Sequence, residues 1–208
     1  MNLFAKSSTS ISGEVVCPGD KSISQRALIL GSILNEDISI EGFLNGEDPI
    51  STANALNAIG SSITINGTSV FIKKRHVPFK KPSTEVDLGN SGTGMRLMMG
   101  LISSLDFEAT LIGDKSLTKR PMLRMANPLN DMGASISCSE GKPPVKIHPG
   151  KILDNYIYEM PIASAQVKSG IILSALAANK NVTVIEKHPT RNHTERMISH
   201  FHGNIETA

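Results

Sequence analysis

A lysine, a hydroxyl group and an arginine lie close together near the start of the chain, in the segment VCPGDKSISQRALILGSI that covers residues 16–33. Lys21 and Ser22 follow a Gly-Asp turn, and Arg26 comes one helical turn later. Because residues four apart share a helix face, Ser22 and Arg26 are expected side by side, opposite an apolar face. A mobile ammonium beside a planar guanidinium fork is suited to holding carboxylate or phosphate groups.

Similar polar turns recur twice further along the chain. Asn90-Ser91-Gly92-Thr93 and Ser164-Ala165-Gln166 each follow a short apolar stretch and precede a helical pattern. Ser22, Ser91 and Ser164 are 69 and 73 residues apart. A helix start leaves backbone N–H groups unpaired and carries partial positive charge, so three starts facing one way would form an anion-binding surface. Glycines in these turns (Gly19, Gly89, Gly92, Gly94) would let a ligand approach the backbone.

Three more arginines, Arg96, Arg120 and Arg191, could supply further forks for a ligand with more than one acidic group. Each residue also has a purely structural interpretation. A serine at a helix start is commonly only a cap, and Lys21 or Arg26 alone could be a solvated charge. Arg96 lies in a very apolar helix, where it could pair with Asp87 or a carbonyl. The same polar turn recurs at one period, and this recurrence favours a functional role for these residues over a purely structural one.

An internal repeat predicts the elements that position these turns. Segments LNAIGSSI, LNDMGASI and ISHFHGNI place Gly60, Gly133 and Gly203 at intervals of 73 and 70 residues. Each segment predicts a helix end, a glycine with positive φ and then a strand. Three copies of one supersecondary unit are therefore expected. They would cover roughly residues 14–80, 81–150 and 151–208.

Each unit is predicted to hold a strand, a polar turn, a helix, a strand, a second helix and closing strand. The first strand would be ISGEVVC, at 11–17, and Asn66-Gly67 predicts a hairpin. Asp48-Pro49 and Arg120-Pro121 predict second helices with proline in the first helical position. The first helices of units two and three are apolar around most of their circumference, which predicts burial on nearly all sides. Two ordinary core helices of an α/β sandwich remain an alternative.

Composition argues against several function classes. The net charge is only +2, with basic and acidic residues interspersed, so nucleic-acid binding is not expected. We expect neither a signal peptide nor a membrane span, and hence a cytoplasmic protein. Cys17 and Cys138 are far apart without metal-type spacing. Three histidines between 193 and 202 also lack zinc-ligand spacing, and His193 or Thr194 is instead predicted to cap a helix.

Five segments together resemble the 5-enolpyruvylshikimate-3-phosphate synthase family, in family order. They are PGDKSISQRALIL, LGNSGTGMRLMMGLI, DKSLTKRPM followed by PLNDMGA, ASAQVKSGIILSAL, and PTRNHTERM. The resemblance implies an α/β fold of two similar halves, each an inside-out barrel of three βαβαββ units with buried helices. This chain would be the N-terminal half. It also implies transfer of the enolpyruvyl group of phosphoenolpyruvate to the 5-hydroxyl of shikimate 3-phosphate, with no metal or cofactor.

The resemblance also assigns site residues. Lys21 would be catalytic, contacting phosphoenolpyruvate and taking part in proton transfer. The phosphoenolpyruvate site would comprise Lys21, Gly92, Arg120 and Gln166. The shikimate 3-phosphate site would comprise Lys21, Ser22, Arg26, Ser164, Ala165, Gln166 and Arg191.

The chain departs from the family pattern at Gln25 and in its length, and it keeps the family's glycine at position 92. Gln25 stands where histidine is common, and its neighbours are retained. Gly92 is kept where glyphosate-tolerant members can carry alanine, so the complete enzyme is expected to be sensitive to glyphosate. In the family, a second half supplies further acidic and basic site residues. We therefore expect this chain alone to be inactive or nearly so, and residues 1–13 to pair with that half.

Two alternatives remain at this point. The chain could be a non-catalytic binding module, or a split-enzyme half that docks a partner through its open face. The related UDP-N-acetylglucosamine enolpyruvyl transferases are a minor alternative. They usually have asparagine after the lysine and a cysteine on a mobile loop, whereas Ser22 follows Lys21 here and residues 113–120 contain no cysteine.

Overall fold

Helices and strands alternate along the computed structural model, which describes residues 3–207. The α-helices are α1 (Lys21–Leu34), α2 (Glu47–Ala58), α3 (Gly92–Ile102), α4 (Leu123–Asp131), α5 (Ala165–Ala178) and α6 (His193–His200). The strands are β1 (Ile38–Ile40), β2 (Ser62–Asn66), β3 (Ser69–Lys73), β4 (Val86–Asp87), β5 (Ala109–Ile112), β6 (Ser135–Ser139), β7 (Lys142–His148), β8 (Tyr156–Met160) and β9 (Val182–Glu186). A short 3-10 helix, Leu117–Lys119, precedes α4.

The strands form three separate sheets. The first has the order β1-β3-β2 and is antiparallel throughout, with the predicted hairpin at Asn66-Gly67. The second has the order β4-β5-β7-β6, in which β4 and β5 are parallel and the other pairs antiparallel. The third consists of β8 and β9, which are parallel. Residues 81–150 thus contain the complete βαβαββ unit, in the order β4, α3, β5, α4, β6 and β7.

The first and third units hold fewer strands than the second in the described part of the chain. The predicted strand ISGEVVC is wrong for this structure, because residues 3–18 are exposed and form no strand. Its alternating pattern is compatible with a strand, but a strand also needs a neighbour whose backbone it can pair with. In the third unit, no strand follows α6 in the residues up to 207. The exact unit boundaries remain a prediction.

Helices α3 and α5 pack against each other at the centre of the molecule. Every residue of α3 is buried except Thr93 and Arg96. A methyl group added at Gly100 would lie 2.3 Å from the carbonyl oxygen of Gly170, so the two backbones are in close contact. Burial of these helices between sheets and outer helices confirms the predicted inside-out arrangement.

Asparagine side chains explain two of the three repeated helix ends. Asn57 donates to the carbonyl of Ile63 and accepts from its N–H, at 3.1 and 2.8 Å. Asn130 makes the same pair of bonds with Ile136, at 2.9 and 2.8 Å. The glycine between each asparagine and its isoleucine partner has the predicted positive φ, +104° at Gly60 and +101° at Gly133.

The third helix end differs from the prediction. Ser199 stands where the first two copies have asparagine, and His202, not Gly203, takes the left-handed conformation, with φ of 58°. The serine side chain is too short to repeat the two-way amide bridge. The third end therefore lacks the side-chain bridge but keeps the backbone cap: the N–H of Gly203 donates to the carbonyl of Ile198 at 2.9 Å, as that of Ser61 does to Leu56 at 3.0 Å.

Both proline predictions were wrong in detail. Pro49 is the third residue of α2, which begins at Glu47, and Pro121 lies before α4, which begins at Leu123. A proline is tolerated at the third position because the first four N–H groups of a helix have no intrahelical acceptor. Among residues 3–207, none of the helices is long and apolar enough to cross a bilayer.

Candidate active site

The starts of α1, α3 and α5 lie together at one end of the buried helices. Gln25 of α1 donates through Nε2 to the Oγ of Ser91, which precedes α3, at 2.6 Å. Gln166 of α5 donates to the Oγ1 of Thr93 in the first turn of α3, at 2.9 Å. Three positive helix ends are therefore brought to one face, which is the geometry of an anion site.

Lys21 is the first residue of α1, and its side chain is 53% exposed. Its Nζ lies 2.8 Å from Oδ2 of Asp48 at the start of α2. Asp20 caps α1 by accepting from the N–H of Ile23, so the capping interpretation of Ser22 was wrong. The ammonium of Lys21 is thus held near the helix starts while remaining accessible from solvent.

Arg26 lies behind Lys21 and is almost completely buried, with 3% exposure. Its Nε donates to Oγ1 of Thr194 at 2.8 Å, and its Nη2 donates to Oγ of Ser169 at 2.9 Å. Its Nη1 donates to both the carbonyl and the hydroxyl of Ser22. The predicted shared face of Ser22 and Arg26 is therefore present, and four of the five N–H groups of a guanidinium are engaged.

Burial lowers the pKa of Arg26, and the negative charge of Glu195 acts against this effect. Arg191 lowers the pKa further, which shows that its charge is felt at Arg26. An arginine stays protonated in proteins, so the site contains a buried permanent cation. Arg191 itself is exposed, two residues before α6.

Gly92 is the first residue of α3 and faces two arginines. A Cβ at this position would lie 2.7 Å from Nη1 of Arg120 and 3.4 Å from Nη1 of Arg96. Arg120 is fixed by a 2.6 Å bond from its Nη2 to Oδ1 of Asn90. The absence of a side chain at Gly92 therefore leaves the space in which the Arg120 guanidinium lies.

Arg96 bridges α3 to its neighbours. Its Nη1 donates to Oε1 of Gln166 at 3.1 Å, and its Nη2 donates to the carbonyl of Pro121 at 2.9 Å. The predicted carbonyl contact is thus confirmed, and Asp87 instead accepts from the N–H of Gly89. Burial lowers the pKa of Arg96, followed by the nearby positive charges of Arg120 and Arg124.

Ser164 and Ser91 are N-caps, as the structural interpretation of these serines predicts. Ser164 accepts from the N–H of Val167 at 3.4 Å, and Ser91 accepts from that of Gly94 at 3.0 Å. Ala165 begins α5 immediately afterwards. Capping does not prevent a hydroxyl from donating its own proton to a ligand.

Close packing accounts for two of the turn glycines, and a left-handed backbone conformation accounts for a third. A Cβ at Gly19 would lie 2.1 Å from the carbonyl oxygen of Gly42, and one at Gly94 would lie 2.6 Å from Oγ1 of Thr52. Gly89 has a φ of +54° and faces Ser51. Among the four predicted glycines, Gly92 faces candidate ligand-binding side chains.

Two of the three hydroxyls that hold Arg26, those of Ser169 and Thr194, were not predicted from the sequence. Thr194 was predicted as a cap of α6, but its Oγ1 accepts from Arg26 and donates to Ser169 at 2.8 Å. Asn192 precedes α6 and makes no side-chain capping bond. Lys168 was missed as well, although a lysine inside an otherwise apolar helix is a signal that a buried acidic partner is needed.

Metal ligation receives no support from the described residues. No group of three or more histidine, cysteine, aspartate or glutamate side chains between 3 and 207 is placed to hold a metal ion. Cys17 is exposed and Cys138 is partly buried, and each is a free thiol. The site's chemistry, as far as this chain supplies it, is that of fixed cations, hydroxyls and helix starts.

Comparisons with known proteins agree with this geometry. Residues 5–208 match the family model of EPSP synthase (3-phosphoshikimate 1-carboxyvinyltransferase). Proteins named 3-phosphoshikimate 1-carboxyvinyltransferase from Hydrogenovibrio crunogenus and Thermoanaerobacter sp. are 48% and 44% identical to the chain, over 200 and 207 residues. These alignments cover 92% and 99% of this chain, and 44% and 49% of the relatives.

A solved structure is similar as well. EPSP synthase from Acinetobacter baumannii superimposes with a TM-score of 0.87 at 42% identity, over 94% of this chain and 45% of that protein. The chain thus spans about half the length of the relatives it matches. Such agreement over nearly the whole chain shows that it belongs to the EPSP synthase family.

Proposed function

We propose that this chain is the N-terminal half of an enzyme that transfers the enolpyruvyl group of phosphoenolpyruvate to the 5-hydroxyl of shikimate 3-phosphate, releasing phosphate. The observation that carries this proposal is the meeting of three helix starts beside Lys21, Arg26 and Arg120. Both substrates carry a carboxylate and a phosphate, and the face offers several cations for them. Fixed cations also stabilise charge as phosphate leaves, without reorganisation during the reaction.

Lys21, Gly92, Arg120 and Gln166 form our proposed half of the phosphoenolpyruvate site. Lys21 is accessible and held by Asp48, so it can move between that carboxylate and a ligand. Arg120 occupies the space that Gly92 leaves open. In this proposal Lys21 is the catalytic residue: it neutralises the substrate's negative charge and can take part in proton transfer to the methylene carbon of phosphoenolpyruvate.

Shikimate 3-phosphate is assigned to a second set, in which Lys21 and Gln166 are shared. The others are Ser22, Arg26, Ser164, Ala165 and Arg191. Arg26 has one N–H left for a ligand, so its main contributions are its charge and the orientation of the Ser22 hydroxyl. Arg191 is exposed and therefore accessible to a phosphate.

The second half of the enzyme is our proposed partner. Phe4, Ile11 and Val16 are 90%, 96% and 91% exposed, and such an apolar segment is typical of a surface that another part of a protein covers. We therefore propose that residues 1–13 pair with that half. Met1 and Asn2 of this segment lie outside the described residues. The first and third sheets, with fewer strands than the second, offer further edges for pairing.

A cytoplasmic location is proposed for the enzyme. Free thiols at Cys17 and Cys138 are typical of reducing compartments. The proposed substrates are both phosphorylated, and such metabolites are retained inside cells.

Titration calorimetry of the 208-residue chain with shikimate 3-phosphate tests the substrate assignment. We expect saturable binding that Arg26→Ala and Gln166→Ala both weaken, and that Lys81→Ala, an exposed control, leaves unchanged. Absence of binding by a folded chain would mean that the substrate surface needs both halves to form.

Mixing the chain with the separately produced second half of the Hydrogenovibrio crunogenus relative tests the activity. Turnover of both substrates is expected only in the mixture, or in a fusion of the two parts, which we call the fused enzyme. Tight association without turnover would instead support a non-catalytic interaction module.

A further inference from the structure

Lys168 is a buried cation that the proposed function does not use. Its side chain is 6% exposed and lies on α5, between the buried residues Val167 and Ser169. Its Nζ lies 2.7 Å from Oε1 of Glu186 and 2.6 Å from Oε1 of Glu195. One lysine therefore connects three elements, α5, β9 and α6.

Electrostatics keep this lysine charged. Burial by itself lowers the pKa of Lys168, but its hydrogen bonds and charge interactions with Glu186 and Glu195 outweigh that effect and raise the pKa above its ordinary value. Thr190 also donates to Oε2 of Glu186 at 2.7 Å, which holds that carboxylate in place. A buried ion pair adds little net stability compared with apolar packing. Its contribution here is the connection that Lys168 makes from α5 to Glu186 and Glu195.

The ion pair lies next to the hydroxyls that hold Arg26. Ser169 follows Lys168 in the sequence, and Thr194 precedes Glu195. The Arg26 guanidinium donates to both hydroxyls, Thr194 donates to Ser169, and Ser169 donates to the carbonyl of Ala165 at 2.6 Å. The Lys168–Glu195 pair therefore joins α5 to α6 beside the Arg26–Thr194–Ser169 contacts, which join both helices to α1.

The start of helix α6 has no side-chain cap of its own, so contacts with neighbouring elements must hold it in place. The helix has eight residues, and the preceding Asn192 provides no side-chain capping bond. Two side-chain contacts tie its first turn to α5: Lys168 donates to Glu195, and Thr194 donates to Ser169. Arg191 lies two residues before this turn.

The charge of Glu195 also acts on Arg26 directly. Its Oε2 is buried and accepts no hydrogen bond from the described residues, so that oxygen is not neutralised by a local donor. Of the charges that act on Arg26, the Glu195 carboxylate has the largest stabilising effect on the protonated form. The charges of Lys168, Glu186, Glu195 and Arg26 sum to zero, which makes burial of the group feasible.

We propose that Lys168, acting through Glu195, is a positioning residue for shikimate 3-phosphate binding, because the pair sets the first turn of α6 and thereby the orientation of Arg26 and Arg191. This proposal rests on the proposed function. It assigns no contact with substrate to Lys168. The effect would be selective, because Lys21, Gly92 and Arg120 of the phosphoenolpyruvate set lie outside α5 and α6. Gln166, the member on α5, is held by Thr93 and Arg96 of α3 and makes no bond to α6.

The test compares kinetics of Lys168→Met and Glu195→Gln with the unsubstituted fused enzyme. Misplacing binding groups by about an ångström can weaken function roughly 10- to 100-fold, so we expect the KM for shikimate 3-phosphate to rise about tenfold or more. The KM for phosphoenolpyruvate should change less than threefold. Glu195→Gln is the milder variant, since its amide oxygen can still accept from Lys168, and it provides the readout if Lys168→Met does not fold.

Lys187→Met is the matched control. Lys187 forms an ion pair with Glu159 at 3.0 Å, with both side chains more than half exposed, and it is expected to leave both KM values unchanged. A Thr194→Val variant should reproduce the selective effect of Lys168→Met. The double variant Lys168→Met/Thr194→Val should raise the KM for shikimate 3-phosphate by less than the product of the two single effects, because both changes disturb one connected group.

Two results would overturn the inference. One is reduced stability of Lys168→Met and Glu195→Gln with both KM values unchanged, which would indicate a purely structural pair. The other is an equal rise in both KM values. Failure of the proposed function is distinguishable from either, since the unsubstituted fused enzyme would then show no turnover and the parent chain no binding of shikimate 3-phosphate.

Discussion

Lys21 of α1 and Asp48 of α2 form an ion pair of 2.8 Å at the mouth of the candidate site. The side chain of Lys21 is half exposed, whereas that of Asp48 is mostly covered. The carboxylate is therefore the fixed member of the pair and the ammonium the mobile one. Ligand binding would have to compete with Asp48 for the charge of Lys21.

Replacing Lys21 by methionine separates its functional from its structural contribution. Removal of one electrostatic group at a reacting centre lowers turnover about 100- to 1,000-fold, which is the loss we expect in the fused enzyme. An exposed ion pair contributes at most about 1 kcal/mol, so the free energy of unfolding should hardly change. Lys81→Met, at the exposed pair with Glu108, is the control for both measurements. Unchanged turnover in Lys21→Met would refute the catalytic assignment.

Gly92→Ala tests the space in front of Arg120. The new methyl group would lie 2.7 Å from Nη1 of Arg120, so the guanidinium must shift. We expect glyphosate to inhibit the unsubstituted fused enzyme, and Gly92→Ala to weaken that inhibition more than it raises the KM for phosphoenolpyruvate. Gly46→Ala, whose methyl group would make only ordinary contacts at 3.6 Å, is the control. Equal inhibition of both enzymes would show that Gly92 does not line the inhibitor site.

Local patterns in the sequence were sufficient for the buried helices and the shared face of Ser22 and Arg26. They depend on residues within one or two helical turns, where spacing determines direction. The partners of Arg26 could not be found in this way. Thr194 is 168 residues away and Ser169 is 143 residues away, so these contacts arise only when α1, α5 and α6 pack together.

The strand predicted at 11–17 shows a different limit. Alternation in ISGEVVC describes which faces a strand would present, but it does not supply a neighbouring backbone. Likewise, a proline pattern locates a helix start only to within a turn, as Pro49 and Pro121 show. Glycine patterns were ambiguous for a similar reason, since packing and ligand approach both require a missing side chain.

Close contact between α3 and α5 predicts unequal effects at two glycines. A Gly100→Ala methyl group would meet the backbone oxygen of Gly170 at 2.3 Å, whereas a Gly170→Ala methyl group would meet the flexible end of Met125 at 2.6 Å. Overpacking costs about 1–3 kcal/mol, and we expect Gly100→Ala near the upper end and Gly170→Ala near the lower. Urea unfolding of the chain measures both. Equal losses would contradict a rigid α3–α5 contact.

Asp114 orients Arg120 through an intermediate asparagine. Asn90 donates to Oδ2 of Asp114 at 2.7 Å and accepts from Arg120 at 2.6 Å. The hydrogen bond from Asn90, followed by the one from the N–H of Leu117, holds the pKa of Asp114 below its ordinary value. Asp114→Asn should therefore raise the KM for phosphoenolpyruvate more than that for shikimate 3-phosphate in the fused enzyme.

The lowered pKa of Asp114 also fixes the sign of a pH effect. A carboxyl group with a depressed folded-state pKa contributes stability that is complete above its unfolded pKa, about 3.8, and that is lost as the pH falls through the folded value. The stability difference between the parent chain and Asp114→Asn should thus be constant near neutral pH and shrink below about pH 4. Asp154→Asn is the matched control, since the pKa of Asp154 is also lowered, mainly by the N–H of Asn181. Asp154→Asn should show the same pH trend in stability and should leave the KM values for both substrates unchanged. If Asp114→Asn and Asp154→Asn both changed a KM value, Asp114 would not act through Arg120.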